Sequence, residues 1–271
     1  MTTGVPGSDQ KPATAARMYD YFLGGIHNFA ADREAARKVV AQFPDIPVGA
    51  RANRAFLRRA VRFLAGVGIR QFLDIGSGIP TQGNVHEIAQ EAAGDARVVY
   101  VDIDPVAVAE SLDILAGNEQ ATAIRADMRD PGAVLTHPRL VKLLDLSEPT
   151  ALLMGAVLHF VPDDAQAHSI RAEFLNSLAS GSYLLVTHAA SESFENRDDA
   201  MSTAVEVYKR QTTTPGKVRS RAEMLAFFDG LELVEPGVVW VPQWRPDPQE
   251  RDPLLREPHR SCVWGGVARK P

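Results

Sequence analysis

Apolar positions recur at helical spacing through the first quarter of the chain. Over 12–22 the period carries Met18, Tyr19 and Phe22; Pro12 suits a first helical position, and Gly24-Gly25 ends the run. A second period covers 32–42, with Ala36, Val39, Val40 and Phe43 at i, i+3, i+4 and i+7, and Pro44 and Pro47 break it. A third, about 50–65, places Leu57, Ala60, Val61 and Leu64 on one face and Arg58, Arg59 and Arg62 away from it. Three helices are thus predicted before any strand. The small polar residues of 1–11 predict a disordered tail.

From Arg70 the period changes. Short apolar runs alternate with helical ones, the pattern of βαβ units in a parallel sheet. Strands are predicted near 71–75, 98–101, 121–125, 150–154 and 183–187, with later ones near 231–234, 238–241 and 262–268. Helices are predicted between the first five, over 83–93, 105–117, 131–144 and 164–179. Asp104 is the expected cap of the second of these, since Pro105 follows it at the first helical position.

The turn after the first strand is the most informative stretch: Phe72-Leu73-Asp74-Ile75-Gly76-Ser77-Gly78-Ile79-Pro80. Two glycines spaced by one allow a tight backbone that a ligand can approach closely. A dinucleotide site would want G-x-G-x-x-G against a pyrophosphate, but the sixth position here is Thr81. An acidic residue ahead of the first glycine would also repel a pyrophosphate. It suits a ligand bearing an ammonium group, such as the amino-acid end of S-adenosylmethionine. Asp102 ends the second strand, where a carboxylate accepts ribose hydroxyls, close to the roughly 20-residue spacing expected of a ribose acceptor. Asp127, after the third strand, is placed to accept from an adenine amino group, and Met128 to cover one face of the ring.

On these residues the chain, from about Arg70 onward, resembles class I S-adenosylmethionine-dependent methyltransferases. The resemblance implies an α/β, Rossmann-like sheet, mostly parallel, of seven strands with the last antiparallel. It implies S-adenosylmethionine as cofactor, contacted by Asp74, Gly76, Gly78, Asp102 and Asp127. Pro80 departs from the pattern, standing where many members have a third glycine. The N-terminus is similar to a narrower actinobacterial family of S-adenosyl methyltransferases of largely undefined role. That similarity runs through Ala16-Arg17-Met18-Tyr19-Asp20-Tyr21-Phe22-Leu23-Gly24-Gly25, Asn28-Phe29-Ala30-Ala31-Asp32-Arg33 and Asn53-Arg54-Ala55-Phe56-Leu57-Arg58-Arg59. Gly83-Asn84-Val85-His86-Glu87 and Leu158-His159-Phe160-Val161-Pro162 continue it. It implies that the helices of 12–69 form an extension closing over the cofactor of a 70–271 domain.

Other residues have two readings each. Tyr19, Gly24, Gly25 and Asn28 set polar and aromatic side chains around a diglycine, as in a cofactor-binding loop; a helix stop and a cap explain the same residues. Arg17 or Arg54 offers a forked guanidinium to the cofactor carboxylate, or is a surface charge. His159 follows the fourth strand, at the edge where open α/β sheets bind ligands, and is the candidate catalytic base; a backbone-bonded histidine in a crowded turn is the alternative. His86 suits a structural or cofactor-side role, and His188 is a second candidate for the substrate pocket. Trp240 and Trp244 belong either to that pocket or to the core. The polar stretch 190–220, with Tyr208, Lys209 and Arg219, reads as a lid-like insertion or a solvated loop.

Composition narrows the rest. With 271 residues, 45% hydrophobic and 23% charged, the chain needs no disulfide or metal staple. Its one cysteine, Cys262, lies in an apolar run and reads as a buried core residue. No metal site is predicted, because no set of His, Asp and Glu has ligand spacing. A net charge of -5 argues against a nucleic-acid partner. Nothing resembles a secretory signal or a membrane span, so a cytoplasmic location is expected. The reading is a methyltransferase for a small-molecule acceptor, with the acceptor and the oligomeric state open. A non-catalytic S-adenosylmethionine-binding regulator is one alternative; a nicotinamide oxidoreductase is another, disfavoured by Thr81 and Asp74.

Overall fold

The computed structural model describes residues 12–79, 83–193, 216–249 and 252–271. Its strands are β1 (Gln71–Ile75), β2 (Arg97–Asp102), β3 (Ala121–Arg125), β4 (Thr150–Gly155), β5 (Tyr183–Ala189), β6 (Glu232–Leu233), β7 (Val239–Trp240) and β8 (Val263–Arg269). Seven lie in the order β3-β2-β1-β4-β5-β8-β6, and β7 pairs with β8 beside that path. Strands β1 to β5 are parallel, whereas β8 runs antiparallel to β5. This is the Rossmann-like arrangement expected, with β7 as a short addition.

Burial on both faces explains the near-continuous apolar character of the central strands. Leu73, Ile75, Val99, Val101 and Ile124 point into one core. Helices α6 (Pro131–Leu135), α7 (Pro138–Leu143), α8 (Asp164–Asn176) and α9 (Arg221–Ala226) cover it through Val134, Leu140, Phe174 and Met224. Phe72, Val98, Tyr100, Leu153 and Leu185 point into the other core. There α3 (Ile46–Gly66), α4 (Val85–Ala92) and α5 (Pro105–Ile114) supply Phe56, Leu57, Val61, Leu64, Val85, Ile88 and Val108. Phe72 and Asp74 are two apart on β1, so Asp74 faces the side covered by α3. Helices α1 (Ala15–Phe22) and α2 (Ala30–Gln42) pack over a smaller cluster of Met18, Phe22, Ala36, Val39 and Phe43.

Three local expectations are corrected. Pro47 does not separate α2 from α3; it lies in the first turn of α3, where a missing N–H costs nothing, and the helix therefore starts at Ile46. The single helix expected over 131–144 is two. His137 accepts from the Arg139 amide at 3.2 Å and so caps α7, whose first residue Pro138 cannot continue the ladder of α6. Cys262 is not a buried core residue: it is half-buried and left-handed (φ 53) at the entry to β8.

Candidate functional site

Parallel strands β1 to β5 bring their carboxyl ends to one edge, and the chain order reverses between β1 and its two neighbours, β2 and β4. Such a switch point opens a crevice for ligands. Gly76 and Gly78 turn the chain there with φ of 68° and 64°, left-handed values that favour glycine. A Cβ on Gly76 would collide with Val157, so the turns after β1 and β4 interlock. A Cβ on Gly78 would meet nothing within 4 Å among the described residues.

Asp102 closes this turn from β2. Its carboxylate is buried and accepts from the Gly78 amide and the Asp104 amide, each at 2.8 Å. Burial raises its pKa, against the pull of those two backbone bonds. Asp74, also buried, is pushed up to about 7 by burial, with Arg54 pulling it down and Asp102 pushing it further up. Arg54 thus lies within electrostatic reach of Asp74, and it also draws down the Tyr19 hydroxyl, which burial raises. Tyr19 donates to the Ala50 carbonyl at 3.1 Å and accepts from Asn53 Nδ2 at 3.0 Å. Two buried atoms of this corner have no partner among the described residues, Arg54 Nε and Asn53 Oδ1. An unpaired buried donor and acceptor cost free energy unless a ligand satisfies them.

The remaining predicted residues fall differently. Asp127 is bound locally, accepting from Arg129 Nη2 at 2.7 Å and from the Arg129 amide at 2.9 Å. That guanidinium holds its carboxyl below the usual range. Met128 packs partly buried against the core on its side of the sheet. Ile103, between Asp102 and Asp104, is 52% exposed; an apolar side chain bared at the ligand edge is a feature that the sequence pattern did not single out. Gly24 (φ 82°) and Gly25 continue α1 into a loop held by Asn28, which donates to Asp20 Oδ2 at 2.8 Å and to the Gly25 carbonyl at 2.9 Å. None of these bonds reaches the glycine turn. Arg17 is not a surface charge: its guanidinium is buried between Asp32 and Asp104.

The β4–β5 side of the edge is a histidine–arginine cluster. His159 rises in the 3-10 turn Leu158–Phe160, with Phe160 at 4.1 Å and His188 at 5.7 Å between ring centres. Its Nδ1 is buried without a partner among the described residues, and burial, with Arg219 adding to it, pushes the ring down to about 4. Arg219, in the stretch read as lid-like or solvated, is not a solvated side chain. It is buried and donates to the Leu158 carbonyl at 3.1 Å, to His188 Nε2 at 2.8 Å and to the Val161 carbonyl at 2.8 Å. Since Nε2 of His188 accepts, its proton sits on Nδ1 and bonds the Ala189 carbonyl at 2.9 Å. Both ring nitrogens of His188 are therefore spent on structure. His86 is also structural, bonded to Tyr100 Oη at 2.8 Å. Trp244 is core, edge-on to Phe56 and Phe63, and Trp240 stacks on Trp264 at 3.6 Å. Tyr208 and Lys209 lie outside the described residues, as does most of the 190–220 stretch.

Sheet order, glycine turn and terminal Asp102 together define a class I S-adenosylmethionine-dependent methyltransferase. The chain belongs to the S-adenosyl methyltransferase family, which it matches over residues 3–271. At 41% identity and a TM-score of 0.89 it is similar to a DUF574 family protein from Streptomyces avermitilis MA-4680, over 98% of this chain and 100% of that one. A protein assigned as a methyltransferase from Thermobifida fusca YX is similar at 37% identity and a TM-score of 0.89, over 100% of this chain and 99% of that one. The N-methyltransferase NodS from Bradyrhizobium japonicum WM9, in complex with S-adenosyl-L-homocysteine, shares the fold at 15% identity and a TM-score of 0.51, over 94% and 99% of the two chains. No curated protein matches the chain. The protein is an S-adenosylmethionine-dependent methyltransferase. Among the described residues no helix is long and apolar enough to cross a membrane, and no group of three His, Cys, Asp or Glu is placed to hold a metal.

The corner fits that cofactor. Arg54 Nε is a buried donor, and Asn53 Oδ1 and the Asp74 carboxyl are buried acceptors, the complement of a group that carries both a carboxylate and an ammonium. The sign of the Asp74 shift is testable. Folded and without ligand, Asp74 keeps its proton to about pH 7, whereas an unfolded Asp loses it near 4. Its contribution to stability is thus complete below about pH 4 and is lost as the pH rises through about 7. An ammonium beside it favours the carboxylate, so S-adenosylhomocysteine binding near pH 6 is expected to release a fraction of a proton. Calorimetry in buffers of different ionisation heat measures this. Release that persists in Asp74→Asn would assign the proton to another group.

Proposed function

We propose that Asp74, Asn53 and Arg54 hold the amino-acid end of S-adenosylmethionine and that Asp102 holds its ribose. Ile103, Asp127 and Met128 then border the adenine. Tyr19 serves by fixing Asn53, and Gly24, Gly25 and Asn28 serve by shaping the loop that follows α1. One observation carries this reading: Asp102 closes the glycine turn through the Gly78 amide, while Arg54, within electrostatic reach of the same Asp74, and Asn53 keep a buried donor and acceptor with no partner among the described residues.

When bound, the cofactor supplies a methyl carbon activated by a positive sulfur. The protein's task is then to align the acceptor and exclude water. His159 is the side chain we assign to the acceptor. At neutral pH it is an uncharged imidazole, since burial and Arg219 hold it at about 4. It can take a proton only from a nucleophile that releases one easily, so the reading favours acceptors that need little base assistance. A small-molecule acceptor and a cytoplasmic location complete the proposal, supported by the chain's net charge of -5, which disfavours nucleic acid.

The test is methyl-labelled S-adenosylmethionine incubated with the protein and fractionated cell extract. Label is expected in the low-molecular-weight fraction, and less of it with His159→Ala. Label confined to macromolecules would overturn the small-molecule reading.

A further inference from the structure

A chain of hydrogen bonds runs from the N-terminal helices to the glycine turn. Asp32, fully buried in α2, accepts from the Phe29 amide at 2.8 Å, the Thr14 amide at 3.1 Å and Arg17 Nε at 2.8 Å. Arg17, in α1 and 3% exposed, reaches on through Nη1 to Asp104 Oδ2 at 2.9 Å, where Thr14 Oγ1 also donates at 2.6 Å. The other oxygen of Asp104 caps α5 through the Val106 amide at 2.9 Å, as its position before Pro105 predicts. The Asp104 amide then holds Asp102 Oδ1, and Asp102 Oδ2 holds the Gly78 amide, both at 2.8 Å.

We propose that Arg17 is a positioning residue for the ribose of the cofactor, acting through Asp104 to fix the carboxylate of Asp102. The inference rests on the reading that Asp102 accepts the ribose hydroxyls. The physical reason lies in the charges. Asp32, Asp104 and Asp102 are three buried carboxylates in series, and Arg17 is the cation that bridges the first two. Without it Asp32 and Asp104 repel each other with no countercharge between them. The Asp104 turn then relaxes, and one of the two backbone anchors of Asp102 moves with it. The same geometry makes the N-terminal helices part of the ribose site although neither helix carries a side chain bonded to Asp102.

The experiment compares S-adenosylhomocysteine with its 2′-deoxy analogue by calorimetric titration, using wild type, Arg17→Met and Thr14→Val. Thr14→Val removes only the second donor to Asp104 Oδ2. Circular dichroism and thermal melts identify the folded variants. Wild type is expected to prefer the hydroxylated ligand by roughly tenfold, the size of one charge-assisted hydrogen bond. In Arg17→Met that preference should fall to about twofold or less, and Thr14→Val should reduce it part of the way. A lost packing contact would weaken both ligands alike and leave the ratio intact; that result overturns the inference. If Arg17→Met does not fold, Thr14→Val decides, and an unchanged ratio there also overturns it. A wild type with no preference removes the role of Asp102 itself, and the inference with it.

Discussion

Asp102→Ala is expected to weaken S-adenosylhomocysteine binding by a factor of about 100 or more while leaving the protein folded. The carboxylate anchors the Gly78 and Asp104 amides at 2.8 Å each. Hydrogen bonds to a charged group contribute about 1.5–3 kcal/mol each. Losing the proposed ribose contact together with the Gly78 anchor of the turn therefore costs binding roughly 3–6 kcal/mol. The fold should tolerate the change better. Burial raises the pKa of Asp102, so the site already pays a desolvation cost for that charge, and removing it offsets part of what the two backbone bonds contribute. A loss of about 1–2 kcal/mol in stability is expected, read from urea unfolding. Asp102→Asn, which keeps one acceptor oxygen, should bind between the two. Calorimetric titration of the three proteins is the measurement. Wild-type affinity in Asp102→Ala would remove Asp102 from the cofactor site.

The two glycines of the turn should fail in opposite ways. Both have left-handed φ, which costs an L-residue about 1–2 kcal/mol. Gly76 carries a second penalty, since a methyl there collides with Val157 from the turn after β4. Overpacking of that kind costs about 1–3 kcal/mol more. Gly76→Ala is thus expected to lose about 2–5 kcal/mol of stability and its binding with it. Gly78→Ala meets no described atom within 4 Å, so its stability should fall by the backbone term alone. Its methyl would instead occupy the open side of the turn and cut S-adenosylhomocysteine binding by about tenfold or more. Urea unfolding and ligand titration on the two variants separate the effects. Equal stability losses would remove the interlock of the β1 and β4 turns from the account.

Much of this was legible before the structure. The five parallel strands fall within two residues of the bounds that their apolar runs predict, because a strand buried on both faces has no polar side to blur its ends. The placement of Gly76, Gly78 and Asp102 was legible for a similar reason: they sit at the ends of those strands, and parallel pairing leaves such ends only one edge to occupy. The cap at Asp104 was visible from Pro105 alone. Local chemistry also sets a limit on what can be read. Nothing near His137 marked the break between α6 and α7 except Pro138, and a proline at a first helical turn looks the same in sequence as one that ends a helix.

What the sequence by itself determined is the run of strands that makes the sheet and the acidic glycine turn, all properties of runs of a few residues. What only the tertiary structure decided is where the long cationic side chains go. Arg17 and Asp104 are 87 positions apart and Arg219 and Leu158 61 apart, yet each pair shares a hydrogen bond. A guanidinium has the same local signature on a surface, against a ligand or inside a carboxylate cluster. Only the packing of α1 and α2 beside the α5 cap, and of the 216–219 segment beside β5, buries these two with partners and leaves Arg54 Nε and Asn53 Oδ1 without any among the described residues. Burial makes pairing obligatory, and burial is a property of the assembled chain.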